Sequence, residues 1–287
     1  MALTKELFQE RFAMIFQTLA GFGIALFGST LIWTSTALAS ETPATGSWQS
    51  LKTPRQSQME ILWQAPKSAS APVIVVAPGQ SCNARRPLFE ALAHAAHTQG
   101  VGLLRLEWSY CNLEKDQRKP SPELQGEKED IQSALNWLKQ TGVKNPILLA
   151  GKSLGSLVSY GVFQNQPELK GLALLTPVCS YNEDEKGQLL NPPMNMLAQH
   201  YPGLAQFQRP LLVSLGNDDS LCHLPYLYTV LQSTDLGTGA KHQLQVWGGG
   251  HSLGIALTAD KIDEVATERN LSAFAQGVMN WAWLVGK

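Results

Sequence analysis

The sequence predicts an α/β fold, a mostly parallel twisted sheet with helices on both faces. Three observations carry this. Short, continuous apolar runs rich in β-branched residues recur along the chain, as parallel strands buried on both faces require. Between them lie segments with apolar residues at helical spacing, several ended by Gly or Pro. The chain has 287 residues and is 44% hydrophobic, enough to bury one sizeable core.

The elements follow in order. Met59–Ala65 (MEILWQA) alternates and reads as a strand; Pro72–Gly79 (PVIVVAPG) is continuous and reads as a buried one. Ala84–Gln99 sets Leu88, Ala91, Leu92 and Ala95 at helical spacing, with Gly100 as a stop. Val101–Trp108 is a strand, and Glu127–Gln140 a helix with Ile131, Leu135 and Leu138 on one face. Pro146–Gly151 is a buried strand, Leu154–Gln166 a helix halted by Pro167, and Leu169–Pro177 a strand. Ser180–Arg209 reads as an irregular, Pro-rich cap insertion with one short helix near Met194–His200. The strand Pro210–Gly216, a helix near Pro225–Gln232, the strand His242–Gly249 and the helix Glu268–Leu284 complete the series. Sheets of this kind bind ligands at the carboxyl ends of their strands.

The N-terminus differs in kind. After Lys5, Glu6, Glu10 and Arg11, the stretch Phe12–Ala39 carries no charge and ends in Ala37-Leu38-Ala39, the small-x-small pattern of a signal-peptidase site. Residues 1–39 are expected to be a cleaved signal peptide, followed by a polar lead-in over 40–58 and the main domain over 59–287. The alternative is an uncleaved membrane anchor, since the apolar run is long enough to span a bilayer. Gln17 and the glycines weaken that span. Either way the body is expected outside the cytoplasm, periplasmic or secreted. Membrane contact is expected only if the segment stays uncleaved. Four cysteines, Cys82, Cys111, Cys179 and Cys222, lie in that body, and an even number in an exported chain suggests two disulfides with three possible pairings. The net charge of -1, from 22 basic and 23 acidic residues, gives no excess that would attract nucleic acid.

Ala150–Ser156 (AGKSLGS) contains two overlapping motifs. A phosphate-binding loop would need a Gly five residues before Gly151; that position is Pro146, and the intervening ILLA is an apolar strand. The other motif, Gly151-Lys152-Ser153-Leu154-Gly155, fits a strand-to-helix elbow. Such a turn is sharp, so the neighbours two residues from the central Ser must be small. Ser153 is the candidate nucleophile, placed where the helix N-terminus favours a developing oxyanion. One oxyanion-hole amide is then that of Leu154, the next residue. The second is assigned to Gln80, in the loop after the earlier buried strand. Lys152 reads as an elbow residue pointing to solvent or to a carboxylate.

A serine hydroxyl needs a base. Four histidines follow Ser153. His251 lies in GGGHSLG just past the last strand, where a glycine-rich loop can bring it over the elbow. His242 starts that same strand and is expected at the opposite edge. His200, in the irregular segment, could reach the pocket but is read as surface by default. His94 and His97 are spaced as a metal pair would be, but no third ligand is evident and they are read as a solvated helix face. Two carboxylates, Asp218 and Asp219, follow the preceding strand and compete to orient the imidazole.

Over roughly Met59 to Trp283 the chain resembles the α/β-hydrolases. GKSLGS, LKGLALLTPV, LLVSLGNDDSLC, GGGHSLG, and LEWSYCN with Lys-Pro-x-Pro downstream resemble the small dienelactone-hydrolase-like branch. The usual Gly-x-x-Asp spacing of that fold selects Asp219. Two departures stand out: Pro78-Gly79 where many relatives have His-Gly, and Ser156 where many have Gly. The sheet order of the family implies the pairings Cys82–Cys111 and Cys179–Cys222. The resemblance implies an exported serine hydrolase acting on a small-molecule ester or acyl substrate, through Ser153, His251 and Asp219. No metal or organic cofactor is implied. A hydrolase-shaped binding protein and a serine peptidase are the alternatives.

Overall fold

The computed structural model describes residues 46–82, 84–184, 187–232, 242–258 and 261–287. The signal-peptide reading of residues 1–39 lies outside the described residues. The main sheet holds β1 (Gln49–Lys52), β2 (Gln58–Gln64), β3 (Val73–Ala77), β4 (Gly102–Glu107), β5 (Ile147–Lys152), β6 (Leu172–Leu175), β9 (Leu211–Gly216) and β10 (His242–Trp247). Their order is β1-β2-β4-β3-β5-β6-β9-β10. β2 runs antiparallel to β1 and β4, and every pairing from β4 to β10 is parallel. Their carboxyl ends therefore share one edge.

Helices cover both faces. On one face α1 (Pro87–Gln99) and the last helix, α6 (Glu264–Val285), pack Phe89, Leu92, Phe274 and Met279 against Ile74, Val76, Leu148 and Ala150. On the other, α2 (Gln125–Gln140) and α3 (Leu154–Gln164) pack together, with α3 lying on β5 and β6. Strand alternation divides the residues between these faces. α1 starts at Pro87, not Ala84, because the ring fixes the first helical φ and holds Arg86 extended. It stops at Gly100 in the left-handed conformation, as expected. α6 begins a turn earlier than periodicity suggested, because the Asp263 carboxylate accepts from the Ala266 N–H and caps it.

Three segments correct the sequence reading. The polar lead-in contributes β1, an edge strand whose sequence, QSLK, carries almost no apolar signal. The insertion is not irregular. It forms a separate two-stranded hairpin, β7 (Ser180–Glu183) with β8 (Leu189–Asn195), then α4 (Leu197–His200). Pro192 and Pro193 disguise β8, yet a two-stranded ribbon tolerates prolines that a central strand would not. After β10 comes a second small hairpin, β11 (Ala256–Thr258) with β12 (Lys261–Ile262). The remaining helix is α5 (Leu224–Gln232). Among the described residues no helix is long and apolar enough to cross a membrane.

Candidate active site

Ser153 joins β5 to α3 with φ 55° and ψ -119°, a positive-φ backbone conformation that only a tightly held turn sustains. The glycines on either side permit it. A Cβ on Gly151 would fall on the Gly155 carbonyl, and one on Gly155 would lie 2.5 Å from the carbonyls of Ala77 and Pro78. The Ser153 N–H donates to Leu175 O of β6 at 3.0 Å, fixing the turn to the sheet. The side chain stands at the N-terminus of α3, among the N–H groups that a helix leaves unpaired.

Asp219 and His251 come from the carboxyl ends of β9 and β10. The Asp219 carboxylate is buried and accepts from the Leu221 N–H at 2.9 Å. Asp218 is exposed, and its N–H donates to Gly249 O at 3.0 Å. The His251 loop passes so close to β9 that a Cβ on Gly216 would meet Gly250 O at 2.6 Å. From α6, the Asn270 side chain donates to Gly248 O and Leu253 O, both at 2.8 Å, and so pins both ends of that loop. His251 Nδ1 lies 2.9 and 3.0 Å from the two Asp219 oxygens, and Nε2 lies 2.9 Å from Ser153 Oγ. One tautomer satisfies both contacts: Nδ1–H donates to Asp219, and the Ser153 hydroxyl donates to Nε2. A line of this kind can draw a proton off a hydroxyl and hold the resulting imidazolium. Burial and the Lys152 charge hold the imidazole below its usual pKa, with Asp219 opposing them. The ring is thus ready to accept a proton at neutral pH.

The other histidines separate from this line. His242 lies at the amino end of β10, with Nε2 2.8 Å from Arg209 O. His94 and His97 are exposed on α1. His200 is not a surface residue. It is buried, with Nδ1 2.8 Å from Val178 O and its ring edge-on to Tyr181 of β7, 6.0 Å away.

Loops at the same edge are tied in pairs. Cys82 and Cys111 have sulfurs 2.08 Å apart, joining the loop after β3 to the segment after β4. Cys179 and Cys222, at 2.01 Å, join the segment after β6 to the Asp219 loop. Leu154 opens α3, so its N–H has no partner within the helix. Gln80 sits in the loop after β3, next to the elbow.

Lys152 is not solvated. Alternation along β5 sends it to the face of Leu148 and Ala150, where Leu253 of the His251 loop also packs, and only 8% of it is exposed. Burial is the largest cause that pushes its pKa down, from 10.5 to about 8; Asp219 opposes this and Arg86 adds to it. Below about pH 8 the folded chain must hold a buried ammonium. Between about pH 8 and 10.5 the unfolded chain keeps a proton that the folded chain has released, so stability rises with pH across that window. Lys152→Met is expected to raise stability at pH 7 by an amount on the order of 2–3 kcal/mol. It should also remove the alkaline rise, and move the acid limb of any His251-dependent rate to higher pH. Denaturant titrations and rate profiles across pH check all three.

Sequence reasoning missed one contact. The Ser156 hydroxyl donates to Ser153 O at 2.6 Å and lies 2.7 Å from the Tyr201 hydroxyl, which reaches in from the inserted segment. Both residues are buried. The proton order is Tyr201 O–H to Ser156 Oγ, and Ser156 O–H to Ser153 O. Ser156 thus links the elbow to the insertion, a role that its one-residue difference from Gly did not reveal.

An elbow serine, a carboxylate after β9 and a histidine after β10 on this sheet order define an α/β-hydrolase fold. Residues 70–282 match a family described as an alpha/beta hydrolase domain, and the chain belongs to it. Solved structures agree on the fold. An alpha-beta serine hydrolase homologue from Coxiella burnetii is 18% identical, with a TM-score of 0.58 over 82% of this chain and 98% of that one. Est1E from Butyrivibrio proteoclasticus with ferulic acid bound is 15% identical, with a TM-score of 0.60 over 81% and 98%. A serine hydrolase without a lid from Xanthomonas campestris is 16% identical, with a TM-score of 0.55 over 85% and 98%. No protein of curated function matches the sequence.

Proposed function

We propose that the protein is an exported serine hydrolase that cleaves a carboxylic ester or related acyl bond of a small molecule. The observation that carries this is the unbroken hydrogen-bonded line Asp219–His251–Ser153 at a strained elbow. In this reading Ser153 Oγ attacks the acyl carbon while His251 Nε2 takes its proton. The Leu154 and Gln80 amides stabilise the oxyanion, and the imidazolium returns the proton to the leaving group. Water then repeats the sequence on the acyl-enzyme and regenerates Ser153. Export is supported by the two disulfides, which persist in oxidising compartments. The bound ferulic acid of Est1E and the esterases among the fold neighbours support a small carboxylic ester over a peptide.

The test is labelling by a fluorophosphonate probe. The wild type should label, and Ser153→Ala should fold with an unchanged melting temperature yet take no label. Label on the folded Ser153→Ala protein, or none on the wild type, refutes the reading. A panel of p-nitrophenyl esters of increasing acyl length then defines the substrate class.

A further inference from the structure

The loop that carries the Gln80 amide is held from one side by two aromatic donors. Trp108 Nε1–H donates to Gly79 O at 3.0 Å, and the Tyr110 hydroxyl donates to Gln80 O at 2.7 Å. The two rings are buried and stacked, 6.5 Å apart and 20° from parallel. In a planar trans peptide the C=O of one residue and the N–H of the next point in opposite directions. Holding Gly79 O on Trp108 therefore turns the Gln80 N–H away from Trp108. Holding Gln80 O on Tyr110 fixes the second peptide plane at Gln80, so the residue cannot rotate about its Cα and carry its own N–H off that aim.

The elbow lies beside this loop. Gly155 packs so tightly on the Ala77 and Pro78 carbonyls that no Cβ fits between them. Among the described residues the Gln80 N–H has no hydrogen-bond partner, as an amide kept free for a ligand oxygen requires. The donors are themselves braced. The Ser109 N–H donates to Asp130 Oδ2 at 2.9 Å, and Arg55 pairs with Asp130 Oδ1 at 2.8 Å. Glu107 accepts from the Ala84 N–H at 2.9 Å, and Cys111 is bonded to Cys82. Burial pushes the Tyr110 phenol well above its usual pKa, so it keeps its proton, and stays a donor, at neutral pH.

We propose that Trp108 and Tyr110 are positioning residues that set the oxyanion hole by clamping the carbonyls on either side of the Gln80 backbone. Neither touches the reacting atoms; each acts through a peptide plane. The inference rests on the serine-hydrolase reading and adds to it the means by which the second amide is aimed. It also accounts for a hole built on Pro78-Gly79: the aim comes from the neighbouring segment, so the residue before Gly79 need not supply it.

The test compares Tyr110→Phe and Trp108→Phe with the wild type on p-nitrophenyl acetate. Deleting a whole oxyanion donor costs about 10²–10³ in rate, so releasing its aim should lower kcat by about 10- to 100-fold with KM nearly unchanged. The affinity for a trifluoromethyl ketone, which forms a tetrahedral oxyanion on Ser153, should fall by the same factor. Inhibition by acetate, the product, should not change. A Tyr110→Phe enzyme with wild-type kcat overturns the proposal, as does one that loses rate while binding the ketone normally. Tyr110→Phe deletes one oxygen and decides the matter even if Trp108→Phe does not fold. Failure of the serine-hydrolase reading is separately visible, as probe label that survives Ser153→Ala.

Discussion

Asp219→Asn is expected to lower kcat by about 10⁴-fold, while Asp218→Asn leaves it within about twofold. Asn fits the space of Asp219, and its side-chain oxygen can still accept from the Leu221 N–H. What changes is the partner offered to His251. A carboxylate can only accept, so it keeps the proton on Nδ1 and leaves Nε2 free to take one from Ser153. An amide can turn its NH₂ toward Nδ1, which forces the ring proton onto Nε2 and points it at Ser153 Oγ. Charge matters as well: in the proposed reaction an imidazolium at His251 would lose its counter-ion in a buried site. Asp218 is exposed and joins the site only through its backbone N–H, which substitution leaves in place. Steady-state rates on a p-nitrophenyl ester, with melting temperatures as a control, decide between them. If Asp218→Asn is the damaging change, the choice of carboxylate is wrong.

Replacing both Cys179 and Cys222 by Ala is expected to cost about 4 kcal/mol of stability, by the loop-entropy relation for a closure of 43 residues. For a domain of this size that lowers the melting temperature by roughly 10 °C. The damage should not stop there. This bond holds the segment after β6 against the Asp219 loop, and the Cys179 and Ser180 N–H groups both donate to Leu221 O. Without the bond, the loop that aims the carboxylate gains freedom, and kcat should fall even at temperatures where the variant is folded. Calorimetry and rates at 15 °C separate the two effects. An unchanged melting temperature would mean that the bond constrains little in the unfolded chain.

The legible parts of this molecule are those with a local pattern. PVIVVA and PLLVSL announce buried strands because strands covered on both faces leave no room for polar residues. The elbow is legible because its backbone requires glycines two residues either side of Ser153. Position just past a strand end singles out His251 and narrows the carboxylate to Asp218 or Asp219; the Gly-x-x-Asp spacing of the resembling family then selects Asp219. The illegible parts depend on distant partners. QSLK becomes a strand only because β2 offers it an edge. The prolines of β8 hide a hairpin whose Tyr181 packs edge-on against His200. Lys152 reads as pointing to solvent or to a carboxylate because lysine usually does, and its burial on the face of Leu148 and Ala150 depends on residues distant in sequence that pack there. Trp108 and Tyr110 read as strand end and loop, and nothing near them in sequence points to the carbonyls they hold.

The hydroxyls of Ser156 and Tyr201 have a consequence for how this chain can change over generations. They lie 45 residues apart, on the elbow helix and on the insertion, yet each is a buried partner of the other. Glycine at 156 alone leaves the buried phenol O–H without the acceptor it donates to, which is costly; phenylalanine at 201 alone costs less, because the Ser156 hydroxyl keeps its bond to Ser153 O. The phenol thus depends on the serine more than the serine on the phenol, and relatives that carry Gly after the elbow are expected to lack the phenol.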